Sequence, residues 1–423
     1  MSAVCWPFSG NASSQRRSPD VSHRQVVITG IGAISVAGHG VEALWKAAAE
    51  GISGARPLVL SRDVGNAVKV AAQIPELDLA RLFPDKKTGF YDRATAFALI
   101  AAAEAVKDAG LADAAPFGNR TSVIVGTGIG SAGSIEDAIL NLNAGKRPDP
   151  LTVPRSMMSA SASHIGMAYG CTGTTFVISS ACASSSQALG MAMMMVRSGA
   201  ADRVIVGGTE AIVTPGGMKA WEAMRVLSPD LCRPFSKGRN GLLLGEAGAA
   251  LIVEAEEVAR ARGARIRARL LGYGTTSDAK DILRPDLDGA SDAMAAALDD
   301  AGLAPGAVDY VNAHGTGTVL NDTTESEALR RIFGDHVADL PVSSTKPVHG
   351  HTLGAAGAVE VVITVRALEE GRIPPTINFA APDPHCQIDC VPNIGRSKSI
   401  AVAMSNSFAF GGINAALVIG RAA

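Results

Sequence analysis

Apolar positions along this chain fall into two kinds of run: short β-branched stretches closed by glycine, and longer stretches in which apolar residues recur every three or four positions. Residues 25–36 (QVVITGIGAISV) predict a strand entering a glycine turn, and residues 41–50 predict the helix that follows. Residues 91–110 carry helical spacing through Phe97, Ile100, Ala101, Ala105 and Val106. Residues 121–131 (TSVIVGTGIGS) again read as strand then glycine turn, residues 148–154 as a loop, and residues 157–169 as a helix.

The stretch 174–199 (TTFVISSACASSSQALGMAMMMVRSG) organises the first half. Its β-branched start predicts a buried strand, Ser179 and Ser180 offer a helix cap, and the run to Gly199 is almost without charge. Such a helix is expected to lie inside the protein, with Cys182 at its first turn. There, unpaired N–H groups and the positive dipole end favour a thiolate. Residues 202–210 predict another buried strand, 228–247 a polar glycine-rich excursion, and 255–262 a closing helix.

The second half repeats this pattern more coarsely. Residues 266–273 resemble the opening strand, 290–302 form a helix, and 308–318 (VDYVNAHGTGT) echo TSVIVGTGIGS. Residues 353–368 echo the Cys182 helix, and 399–420 give two strands around a glycine-rich turn. Two similar α/β halves, facing each other, are expected to bring their helix starts to one shared site. The expected boundary lies near Ala264, giving halves 25–263 and 264–423 behind a flexible Ser- and Arg-rich tail, 1–24.

Composition narrows the function classes. The chain has 423 residues and is 47% hydrophobic, enough for a large globular body or two fused domains. Its 38 basic and 40 acidic residues nearly cancel, so net charge gives no sign of nucleic acid. No apolar run is long enough to span a bilayer. The six cysteines (Cys5, Cys171, Cys182, Cys232, Cys386, Cys390) show no CxxC pair and no zinc spacing, which favours reduced thiols in a cytoplasmic setting.

Candidate chemistry gathers in four places. A lone Cys182 reads first as a core cysteine. His314, in NAHGTGT, follows a predicted strand, with Thr316 and Thr318 beside it; His351, in STKPVHGHTLGAAG, follows Lys346. Two histidines in glycine-flanked turns of one half are harder to treat as core residues. The turn at Phe408, Phe410 and Gly411 offers backbone N–H groups suited to an oxyanion hole and an aromatic cover. One thiol, two imidazoles, one ammonium and this turn suit acyl transfer through a thioester. A Cys–His hydrolase leaves the second histidine and the lysine without a role.

Through SSACASS, NAHGTGT, STKPVHGHTLGAAG and NSFAFGGIN, in that order, the chain resembles the elongating β-ketoacyl-[acyl carrier protein] synthases, the condensing enzymes of fatty acid and polyketide assembly. The resemblance spans residues 25–419. It implies the thiolase fold, two βαβαβαββ-type halves stacked as α-β-α-β-α layers, usually in a homodimer. It implies Cys182 as the acyl-accepting nucleophile, and His314 with His351 as the pair that promotes malonyl decarboxylation. Lys346 matches an organising lysine and Glu325 its acidic partner. The N–H groups of Cys182 and Phe410 match the oxyanion hole, with Phe410 the gate. Thr316 and Thr318 match the binding site of the phosphopantetheine arm, and Ile129 a narrowing of the acyl pocket. No metal or redox cofactor is required by this mechanism. The implied partner is acyl carrier protein, greeted by basic residues at Lys86, Lys87 and Arg225.

Two positions depart from the family's common pattern. His349 stands where a small polar residue is commoner, and Trp221 where a smaller aromatic is usual near the pocket. These departures point toward specialised polyene, polyketide or nodulation-type fatty acid synthesis. A thiolase would need a second catalytic cysteine where Phe410 stands, and an initiating synthase typically has asparagine in place of His351. A subunit active only beside a chain-length partner, or a non-catalytic partner, is the remaining alternative; Cys182 argues against the latter.

Overall fold

The computed structural model describes residues 24–84 and 86–422. The expected tail, 1–24, lies outside the described residues except for Arg24, whose guanidinium is already anchored to Asp202 and Glu257.

β-branched runs that alternate across a pleat build one sheet with a ten-strand path. In chain order the strands are β1 (Val26–Ser35), β2 (Thr121–Gly126), β3 (Thr175–Ile178), β4 (Arg203–Glu210) and β5 (Ala247–Ala255), then β6 (Ala268–Ser277), β7 (Tyr310–Asn312), β8 (Val342–Ser343), β9 (Val402–Ala409) and β10 (Ile413–Arg421). Across the sheet they lie β8-β7-β9-β10-β6-β1-β5-β4-β2-β3. Outward from the centre, one half reads β1-β5-β4-β2-β3 and the other β6-β10-β9-β7-β8, the same order shifted by five strands. Directions repeat as well, with β2 parallel to its two neighbours and β7 parallel to its own. The halves join where Val26–Ile28 pair antiparallel with Ala268–Leu270.

Helices complete the layers. Helix α1 (Val41–Glu50) follows β1, α2 (Arg93–Asp108) covers β1, β5 and β4, and α3 is Ala132–Asn143. Helix α4 (Ala160–Tyr169) precedes β3, α5 (Ser184–Arg197) follows it, and α6 is Pro215–Ala223. Helix α7 (Leu287–Ala301) covers β6 and β10, α8 is Val319–Phe333, and α9 is Ala356–Glu370. Helices α5 and α9 touch each other and strands of both halves, forming the middle layer. Close packing of the outer helices needs missing side chains. A Cβ at Gly30 would meet the carbonyl oxygen of Ala105 on α2 at 2.2 Å, and one at Gly272 would meet that of Ala297 on α7 at 2.2 Å.

Several local expectations are corrected. Strand β3 is half-exposed rather than buried, because it ends the sheet and pairs only with β2. Helix α5 buries Ala188, Leu189, Ala192, Met193 and Val196, but Met191 and Met194 on its opposite stripe are exposed. The 148–154 loop contains the start of a short helix, Thr152–Ser156, since proline is tolerated in a first turn. Helices α3, α6 and α8 have no counterpart in the predicted elements.

Candidate active site

The pseudo-repeat brings two equivalent turns face to face. Cys182 lies in a single 3₁₀ turn, Ala181–Ala183, just before α5, and Ala181 is held at φ 49°. Leu353 lies in the matching turn, Leu353–Ala355, before α9, at φ 44°. Left-handed backbone at non-glycine residues marks both helix entries as constrained.

Cys182 Sγ and a ring nitrogen from each of His314 and His351 lie within 4.8 Å of one another, all buried. The two imidazoles meet edge to face with ring centroids 5.4 Å apart. Leu353 donates its backbone N–H to Nδ1 of His351 at 3.3 Å, which leaves the ring proton on Nε2. Burial, then the Lys346 charge, holds the pKa of both imidazoles well below 6.5, so both are neutral. Among the described residues this is the one trio of such donors close enough to grip a metal ion. An Nε2–H on His351, however, suits a developing oxyanion better than a cation.

Burial pushes the Cys182 thiol up to about 12, against the pull of the Lys346 charge and of the Phe410 N–H that bonds its sulfur. Burial thus opposes the thiolate expected at this helix start.

Glu325 does not pair with Lys346. Its carboxylate accepts the backbone N–H groups of His314 at 2.8 Å and Gly315 at 2.7 Å, pinning the loop that carries the first imidazole. Lys346 Nζ, fully buried, donates instead to Glu360 on α9. Glu360 was absent from the sequence candidates, although a lone acid inside the run AGAVEVVITV was a signal for it.

Cys182, His314 and His351 floor a cavity of about 440 Å³ whose walls include Val226, Leu242, Leu283 and Leu320. Thr316, Thr318, Trp221, Phe408 and Phe410 all line it. The two threonine hydroxyls bond each other at 2.8 Å, and Trp221 lies nearly parallel to Phe410 with centroids 6.2 Å apart. Gly411 is not in the lining; at φ 87° it closes the turn and donates its N–H to Ile282. Ile129 is 45% exposed and outside this lining, and its N–H donates to buried Glu210 at 3.2 Å. Arg225 is exposed and also lines the cavity, whereas Lys86 and Lys87 are exposed away from it. His349 is buried, with Nε2 3.0 Å from the Thr345 hydroxyl, and burial drives its pKa down to about 3.

Comparison with known proteins identifies the family. The Beta-ketoacyl synthase N-terminal domain family matches residues 23–259 and the C-terminal domain family residues 267–380. Nodulation protein E of Rhizobium sp. (strain N33) is 43% identical over 93% of this chain and 98% of its own. The 3-oxoacyl-[acyl-carrier-protein] synthase 2 of Staphylococcus aureus (strain COL) is 38% identical over 94% and 98%. Among solved structures, a chain of the ishigamide ketosynthase/chain length factor superposes with a TM-score of 0.91 at 35% identity, covering 95% of this chain and all of that one. The chain belongs to the β-ketoacyl synthase family.

Proposed function

We propose that this chain is a β-ketoacyl-[acyl carrier protein] synthase of fatty acid or polyketide synthesis. The observation that carries the reading is the thiol and two neutral imidazoles converging within 4.8 Å at the floor of an apolar cavity. Two halves meeting near Ala264 supply the parts, the first the nucleophile and the second the imidazoles and Lys346.

An acyl group passes from the sulfur of a carrier's phosphopantetheine arm to Cys182 Sγ. Malonyl carrier protein then enters. Its C–C bond breaks, CO₂ leaves, and the electron pair becomes an enolate whose oxygen is met by the N–H groups of His314 and His351. The carbanion attacks the Cys182 thioester, the C–S bond breaks, and β-ketoacyl carrier protein departs. The N–H groups of Cys182 and Phe410 hold the tetrahedral oxyanion, and Phe410 gates the cavity. The carrier's acidic surface approaches Arg225, with Lys86 and Lys87 further out. A second subunit covers the exposed Met191 and Met194 stripe and the half-exposed β3 edge, either a second copy or a related chain.

The test is incubation of the purified protein with acyl carrier protein and malonyl carrier protein carrying label at the methylene carbon. Labelled β-ketoacyl carrier protein supports the reading. If malonyl carrier protein comes through unchanged both alone and with a related ketosynthase subunit, the reading is wrong.

A further inference from the structure

Glu210, the last residue of β4, is fully buried, and its carboxylate meets turns from both halves of the molecule. It accepts the backbone N–H groups of Gly128 at 2.6 Å, Ile129 at 3.2 Å and Gly130 at 3.3 Å, in the turn after β2. From the opposite half, Gly354 donates its N–H at 3.0 Å. The two turns touch directly: a Cβ on Gly354 would lie 2.2 Å from the nitrogen of Gly128. Gly354 follows Leu353, whose own N–H fixes the proton position of His351. Among the described residues no lysine or arginine bonds this carboxyl group; burial raises its pKa to about 7 while the backbone N–H groups oppose that shift, and the Thr127 hydroxyl donates at 3.5 Å.

An apolar residue could close this junction only by leaving the N–H groups of Gly128, Ile129 and Gly354 unpaired, since Gly130 alone has a second acceptor in the Thr127 hydroxyl at 3.1 Å, which explains the acid here. It does not explain why the acid is joined to the turn beside His351. We propose that Glu210 is a positioning residue, clamping the Leu353–Gly354 turn against Gly128–Gly130 so that His351 presents Nε2–H to the reacting oxygen. This deepens the ketosynthase reading and rests on it for the identity of that oxygen. Among the described residues the turn that carries Cys182 makes no hydrogen bond to Glu210 itself: Ser184 bonds the Ala181 carbonyl inside that turn at 2.6 Å and reaches the clamped loop only at the Thr127 carbonyl, at 3.4 Å. Loss of the clamp therefore disturbs decarboxylation more than acylation.

The experiment labels the ring nitrogens of histidine with ¹⁵N in the full-length protein and reads the His351 tautomer by two-bond ¹H–¹⁵N correlation, assigned with His351→Asn. Wild type is expected to show the Nε2–H form alone. Glu210→Gln is expected to show a mixture of tautomers, with malonyl decarboxylation reduced roughly 10- to 100-fold and Cys182 acylation changed less than about 3-fold. Gly128→Ala is the second variant, because its methyl would lie 2.8 Å from Glu210 Oε2 and displace the carboxyl group while keeping the residue. It is expected to show the same split in weaker form, and it decides the matter if Glu210→Gln does not fold. A single unchanged tautomer in the folded variants, or equal losses in both half-reactions, overturns the proposal. If wild type condenses nothing, the function reading fails while the tautomer spectra still decide whether the clamp exists.

Discussion

Lys346 and Glu360 form an ion pair with both side chains wholly buried, linking the segment before His351 to the second turn of helix α9. Burial raises Glu360 to about 7 while the ammonium opposes that shift. Removing one partner leaves the other charge unmatched in the interior. Lys346→Met is expected to lose about 3–5 kcal/mol of stability, and Lys346→Met with Glu360→Leu to recover much of it. Urea unfolding of the three proteins checks this; equal midpoints for single and double variants contradict it.

The proposed mechanism uses the two imidazoles at the enolate, not in the acyl transfer. His314→Ala is therefore expected to lower decarboxylation about 10²–10³-fold, the effect of deleting one oxyanion donor. Acylation of Cys182 is expected to change far less. The measurements are CO₂ release from malonyl carrier protein and the mass gain on Cys182, and parallel losses in both would contradict the division of labour.

His349 gives a pH signature. The unfolded chain protonates this imidazole near the ordinary value of 6.5, whereas the folded protein does so only near 3. Its contribution is fully present above pH 6.5 and is lost as pH falls from 6.5 toward 3, at up to about 1.4 kcal/mol per pH unit. His349→Thr is expected to lose less stability than wild type between pH 6 and pH 4. Denaturation at several pH values tests this, and identical slopes count against it.

Trp221 is expected to set acyl preference through its stack on Phe410. Trp221→Ala enlarges the cavity beside Phe410 and is expected to shift the preferred donor by two or more carbons toward longer chains. Competition among acyl carrier proteins of graded length measures the shift; an unchanged profile removes Trp221 from specificity.

Much of this arrangement was legible in the chain because glycine-punctuated strands and small-residue helices repeat in the same order. The strands carrying Cys182 and His314 were visible from their β-branched runs, and the repeat itself foretold that the helix starts would converge. What stayed hidden was set by partners distant in sequence. Glu325 and Glu360 are both acids on helices near the site, and only the packing of α9 decides which one reaches Lys346. Glu210 looked like the polar end of a strand until Gly354 met it, 144 positions later in the chain. The exposure of Met194 was equally unreadable, since an apolar stripe that the chain leaves exposed has the same periodicity as one that it covers.

The most direct test of the central claim is intact-protein mass spectrometry after mixing the protein with a panel of acyl carrier proteins, with Cys182→Ala as control. The predicted result is a mass gain equal to one acyl group on wild type alone, which disappears when malonyl carrier protein is added as β-ketoacyl carrier protein forms. A mass gain that persists in Cys182→Ala, or no gain with any donor in the presence of a related subunit, would contradict the account.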